Sequence, residues 1–267
     1  MTISITHLNG SPASMEDVAP LAFAGYAHFT AMQVRNHRVR GLDLHLSRLR
    51  SASDELFGQH LPDSEMREHM RRALAAAPSD VSLTYFITSR PGEFAPAGDG
   101  VDLDALVKVT DPAKLPTGPL AFDVIEHERH LPHIKHVGEV AKTLFLRQAN
   151  SRGFDDAAFA DRSGKLSEAT IWNLAFWDGE SVIWPKSNIL NGVTMQILTR
   201  RLGARGVPQE VREVSRFDLS EHLAAVAMNS WTPGIPLARI GSQALGQEPA
   251  FLRLLHDAYA DETPTHP

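Results

Sequence analysis

Hydrophobic and polar residues alternate along the first forty positions in short runs separated by turn residues. ISITHLNG alternates as a strand and stops at Asn9-Gly10, and HFTAMQVR followed by Asn36-His37-Arg38 and VRGL reads as a hairpin. The period then changes. Leu44, Leu46, Leu49 and Leu56 in LHLSRLRSASDELF give a broad apolar helical face, with Asp43 placed to cap its start. A second helix is expected from Pro62-Asp63 to Ala77. VSLTYFITS follows as a buried strand, residues 90–100 as loop, and LDALVKV as a further strand.

Residues 111–119 (DPAKLPTGP) hold three prolines and a glycine, which predicts a linker between an N-terminal domain (1–110) and a C-terminal domain (120–267). The second half opens with strand LAFDVIE. A helix, EVAKTLFLRQANSR, stops at Gly153. Short strands follow in FDDAAFAD, LSEAT, NLAFWDG and SVIWP, with a tight turn at Arg162-Ser163-Gly164-Lys165. Gly192-Val193-Thr194 then opens a helix through MQILTRRLGARG, AAVAMNS and PLARIG are further short elements, and EPAFLRLLHDAYADE closes the chain as a helix. Hairpins and helices in both halves predict an α+β protein of two domains.

Composition narrows the chemistry. The 267 residues contain no cysteine, which removes disulfides, thiolate zinc sites and a cysteine nucleophile. A net charge of −6 with both signs dispersed argues against nucleic acid as the partner. No apolar run approaches membrane-spanning length, and the N-terminus lacks the basic and apolar regions of a signal peptide. The expectation is a cytoplasmic protein acting on a small molecule.

The stretch EHERHLPHIKHVG carries His127, His130, His133 and His136 at intervals of three. Pro132 breaks any helix that would align them, and a strand would send them to alternating faces, so no metal site is expected. His127, His130 and His133 are expected to face solvent or substrate. Among only six lysines, Lys135 follows Ile134 at the end of an extended run and just before a helix. It is the best placed of the six for amine chemistry, which requires partial desolvation. An ordinary structural ion pair is the competing reading of the same residue.

Taken together, FAGYAHFTAMQVRNHRVRGLDLHLSRLRSA, I134-K135-H136, GFDDAAFADRSGKLSEATIWNLAFWDG and ILNGVTMQIL resemble the fold-type IV (class IV) pyridoxal phosphate enzymes. That family includes branched-chain and D-amino-acid aminotransferases and 4-amino-4-deoxychorismate lyase. The resemblance runs from about residue 6 to residue 240. It implies a smaller N-terminal α/β domain and a larger C-terminal domain with a pseudo-barrel of short strands, pyridoxal 5'-phosphate as cofactor, a site between the domains and a homodimer.

By the same resemblance, Lys135 forms the Schiff base and moves the α-proton, and Glu168 holds the pyridine nitrogen protonated. Arg48 pairs with the phosphate, Gly192, Val193 and Thr194 bind it at a helix start, and Ser230 completes that cup. Thr30, Gln33 and His136 are the expected substrate contacts. Asn173 is expected to hold the strand beside Glu168. The implied reaction is amino transfer between an amino acid or amine and a 2-oxoacid. The alternative is a β-elimination of the aminodeoxychorismate lyase type, releasing pyruvate with help from Thr30. Gln33, where the lyases commonly carry arginine, tilts the balance to transfer. A non-catalytic member of the family is the third possibility, opposed by the joint presence of Lys135, Glu168, Arg48 and Thr194. The departures are Gly25-Tyr26-Ala27-His28 in place of an acidic G-D-G, Met195 after Thr194, and Ala169 after Glu168.

Overall fold

The computed structural model describes residues 2–19, 25–90 and 102–267. Its elements in chain order are β1 (Ser4–Leu8), β2 (Ser11–Pro12), α1 (Met15–Val18), β3 (Ala27–Arg35), β4 (Arg38–Val39), α2 (Leu42–Phe57), α3 (Asp63–Ala75), β5 (Val81–Arg90) and β6 (Asp102–Thr110). There follow β7 (Leu120–Glu126), α4 (Val140–Ser151), β8 (Asp156–Ala160), β9 (Leu166–Ala169), β10 (Asn173–Trp177), β11 (Val182–Pro185) and α5 (Val193–Ala204). The chain closes with β12 (Gln209–Arg212), β13 (Ala224–Asn229), β14 (Thr232–Ile240), β15 (Gln243–Ala244) and α6 (Pro249–Ala260). The loop expected at 90–100 lies, beyond Arg90, outside the described residues.

Two compact units divide the chain. The first comprises Met1–Lys114, Ile134–Gly138 and Thr263–Pro267, and the second comprises Leu115–His133 and Glu139–Glu262. The division at Lys114/Leu115 falls inside the proline-rich stretch 111–119. The expected continuous domain 120–267 is interrupted, however, because backbone bonds attach two of its pieces to the first unit. Phe29 N–H donates to the Lys135 carbonyl (2.8 Å) and Val137 N–H to that of Ala27 (3.0 Å). Val39 and Thr265 exchange a reciprocal pair at 2.8 Å.

In the first unit a six-stranded antiparallel sheet runs β2-β1-β6-β5-β3-β4. Apolar residues of α2 and α3 (Leu46, Leu49, Met66, Met70) pack with Met32, Val34, Leu83 and Val107 of the sheet. The α2 cap differs from the expected one. Gly41, at φ +65°, occupies the N-cap position, so Asp43 lies within the first turn, where its charge favours the helix dipole. The buried face also differs, because His45 and Ser53 take positions between the leucines. Each meets a polar group of β3: His28 Nε2 lies 2.8 Å from Ser53 Oγ, and Thr30 Oγ1 lies 2.6 Å from His45 Nδ1. Buried polar groups are retained where such partners exist, each bond contributing on the order of 1 kcal/mol.

The second unit contains a nine-stranded sheet, and pairing between β9 and β10 closes six of its strands into a ring, β10-β13-β14-β7-β8-β9. Pairing is parallel at β14–β7 and β7–β8 and antiparallel elsewhere around the ring. Phe122, Leu174, Phe176, Ala227 and Leu237 belong to one core cluster. Helices α5 and α6 pack through Leu198, Leu202, Phe251 and Leu255 against Val226 and Met228 of β13, and α4 packs against β8. The short β12 and β15 carry no apolar run, and the sequence pattern did not predict them.

Burial lowers the pKa of His28 to about 4. Burial, then the nearby Arg48 charge, lowers that of His45 to about 3, with Asp43 opposing. Between these values and 6.5 the unfolded chain binds protons that the folded chain does not, so stability rises with pH and is lost as pH falls below about 6.5. Urea unfolding is expected to show a loss of up to about 1.4 kcal/mol per pH unit for each histidine through this window. The His28→Asn/His45→Asn variant should flatten the dependence; an unchanged slope in that variant would refute the assignment.

Candidate functional site

Glu168 lies in β9 at the pairing that closes the ring, opposite Asn173 of β10. Its side chain is buried (residue exposure 4%), yet it is well supplied with partners. Arg129 Nη1 donates to Oε1 at 2.8 Å, and Leu190 N–H approaches Oε2 at 3.4 Å. Arg129 also donates from Nε to Glu139 Oε1 (2.7 Å) and from Nη1 to the Pro132 carbonyl (2.8 Å). A buried charge is tolerated only when paired in this way.

The same region contains the start of α5. Gly192 is its N-cap, with φ −60° and ψ 140° and no side-chain cap, and no acidic residue stands in the first turn. Such a start offers N–H groups and the positive end of the helix dipole to an anion. Thr194 Oγ1 donates to the Asn229 carbonyl at 2.8 Å, tying the helix start to the β13–β14 turn that carries Ser230. The proton of the Thr194 hydroxyl is thereby committed to Asn229. The backbone N–H groups remain the natural anion contacts. Asn173 connects the two halves of the arrangement: its Nδ2 donates to the Leu190 carbonyl at 2.8 Å, and its Oδ1 faces the Gly192 Cα closely enough that a Cβ there would lie at 2.0 Å. Glu168, Gly192, Val193, Thr194 and Ser230 are thus brought together within the second unit.

The first unit holds the other expected residues. Lys135 is half-buried beside β3, with Nζ 4.8 Å from the centroid of the Phe29 ring, and His136 bridges to His28. Arg48 keeps part of its surface exposed, but burial lowers the pKa of its guanidinium from 12.5 to about 10. Thr30 and Gln33 separate. They stand at positions of opposite parity on β3, so their side chains leave opposite faces of the sheet. Thr30 is fully buried against His45, whereas Gln33 is bonded to Ser82 and Arg35. A shared substrate role for these two residues is not what this geometry favours.

The histidines also separate. His127, expected to face solvent or substrate, packs edge-on against Phe145 and Phe159 at 5.0 and 4.9 Å between centroids. His130 and His133 are exposed. Among the described residues no group of three His, Asp or Glu side chains is arranged to hold a metal. Lys142, read from sequence as a helix residue only, has its pKa lowered by burial first and by Arg129 next, with Glu168, Glu139 and Asp156 opposing. Sequence reading missed Arg129 and Glu139. The one available signal was an arginine and a glutamate flanking the Lys135 stretch.

The amino-transferase class IV family model matches residues 27–240. The chain belongs to the class IV aminotransferase family. Solved structures agree on the fold. A branched-chain aminotransferase of Thermoproteus uzoniensis, solved with norvaline, is similar with a TM-score of 0.82 at 17% identity, covering 99% of each chain. The Thermobaculum terrenum branched-chain aminotransferase in its PLP form gives 0.81 at 18% identity, covering 97% of each chain. The Escherichia coli branched-chain aminotransferase gives 0.79 at 16% identity, covering 97% of this chain and 94% of that one. No curated protein sequence matches significantly. The α+β class and the ring of short strands expected from the resemblance are those of this family's fold.

In this class IV aminotransferase, the close approach at Gly192 yields a direct test. Gly192→Ala is expected to destabilise the protein by roughly 1–3 kcal/mol through overpacking against Asn173. The penalty should shrink when Asn173→Ala removes the opposing amide. Equal penalties in both backgrounds, measured by urea denaturation, would show that the contact is not the cause.

Proposed function

We propose that the chain is a pyridoxal-phosphate-dependent enzyme that moves an amino group between an amino acid or amine and a 2-oxoacid, with Lys135 forming the Schiff base. The observation that carries this reading lies inside the second unit: a buried carboxylate and an uncapped helix start, joined through Leu190 and Asn173. Together they supply the two contacts that a phosphorylated pyridine needs, an acceptor for its ring nitrogen and N–H donors for its phosphate. The residues therefore fit the cofactor. When bound, it supplies an electron sink for the carbon from which the α-proton is removed.

The tasks of the protein's own groups follow from their chemistry. Glu168 holds the proton on the ring nitrogen. Val193 and Thr194 N–H groups bind the phosphate, with the Ser230 hydroxyl beside them and Arg48 contributing a guanidinium suited to phosphate. Lys135 Nζ takes the α-proton and returns it. Gln33 and His136 remain proposed substrate contacts. Elimination of pyruvate begins with the same proton abstraction but relied on Thr30, whose hydroxyl is buried against His45, so no observation favours it. The proposal includes a homodimer, in keeping with the exposed apolar Val140 and Leu144 of α4, and a cytoplasmic location. Among the described residues no helix is long and apolar enough to cross a membrane.

Purified protein supplied with pyridoxal phosphate is expected to show the visible absorbance of a lysine-bound cofactor, and Lys135→Ala to lack it. Transfer of label from amino donors to 2-oxoacids, run beside pyruvate release from aminodeoxychorismate, separates transfer from elimination. A protein that remains colourless and retains no cofactor on dialysis would sink the enzyme reading.

A further inference from the structure

Arg129 was singled out by no motif, yet its side chain is only 2% exposed and lies between two carboxylates. Its guanidinium uses separate nitrogens for the two: Nε for Glu139 and Nη1 for Glu168, with the Pro132 carbonyl sharing Nη1. A planar fork held at both edges has little freedom to rotate, so it fixes the direction of whatever it grips. Glu168 Oε1 is thereby occupied by the guanidinium, while Leu190 N–H makes a long approach to Oε2. Among the described residues, other charged and titratable groups acting on this cluster include Lys142 of α4, Asp156 of β8 and His127 just after β7.

We propose that Arg129 is the positioning residue for Glu168: it anchors Oε1 so that Oε2 alone is presented to the ring nitrogen of the cofactor, and Glu139 holds the guanidinium in that orientation. This rests on the proposed function, because it assigns the ring nitrogen as the partner of Glu168. Glu139 has a second, electrostatic effect. Arg129 divides its bonds between two carboxylates, so Glu139 competes with Glu168 for the guanidinium while Lys142 acts on both. Removing the charge of Glu139 while keeping its shape places more of the Arg129 cation on Glu168 and weakens the hold of Glu168 on the ring nitrogen. The deletion of Arg129 itself leaves the buried Glu168 carboxylate and the partly buried Glu139 without the cation that pairs them, a strongly destabilising change. The informative variants are therefore Arg129→Lys, which keeps the charge and loses the fork, and Glu139→Gln, which keeps the shape.

The test compares two ligands on wild-type protein and both variants, with folding checked by circular dichroism. One ligand is pyridoxal phosphate; the other is its analogue with carbon in place of the ring nitrogen, which offers Glu168 nothing to grip. The expected result is that both variants bind pyridoxal phosphate about tenfold more weakly, equivalent to about 1.4 kcal/mol. Affinity for the carbon-ring analogue should stay within about twofold, a difference of roughly 0.4 kcal/mol. Equal weakening for both ligands would reduce Arg129 to a structural ion pair and overturn the proposal. Unchanged affinity for pyridoxal phosphate in folded Glu139→Gln would overturn it as well. If wild-type protein binds neither ligand, the cofactor reading itself fails, an outcome distinct from failure of the Arg129 assignment.

Discussion

The second unit depends on one buried ion pair at the seam of its barrel. Glu168 and Asn173 form the single register pair by which β9 meets β10, so the residue that closes the ring also carries a desolvated carboxylate. Left alone, that carboxylate would cost several kcal/mol. Arg129 offsets this through a charge-assisted bond of 2.8 Å and is itself held by Glu139 at 2.7 Å and the Pro132 carbonyl at 2.8 Å. The closure of the barrel and this buried carboxylate therefore fall on the same residue.

Around that pair the fold arranges backbone groups more than side chains. The α5 start has no side-chain cap, and the Thr194 hydroxyl is engaged with Asn229, so what this start can offer an anion is main-chain N–H groups and the helix dipole. Asn173 sets their distance from Glu168 by holding Leu190 on one side and abutting Gly192 on the other. Glycine at position 192 is required because no Cβ fits there, not because of its dihedral angles, which other residues adopt freely.

Much of the fold was legible from periodicity. The longer strands of both units, the long α2 and the helix starting at Gly192 follow from alternation, helical spacing and turn residues. Misreadings arose where a tertiary partner overrode a local preference. Asp43 looks like a cap, but Gly41 occupies the position by adopting a left-handed conformation. His45 and Ser53 lie between the leucines of α2, where β3 presents Thr30 and His28 to them. Thr30 and Gln33, both expected as substrate contacts, leave opposite faces of β3 because of the two-residue repeat of a strand.

The sequence by itself determined the family, through motifs whose order and spacing match it along most of the chain, and with the family came the lysine, the glutamate and the phosphate-binding helix start as candidates. Local chemistry singled out Lys135, an amine among few amines, while Glu168 and the phosphate role of the helix start came with the resemblance to the family. Only the tertiary structure decided how Glu168 is held. Arg129 lies 39 residues from Glu168 and ten from Glu139, and no periodicity relates them. The need to pair a buried charge arises only once the barrel has closed and excluded water, so the residue that meets that need is visible only in the folded chain.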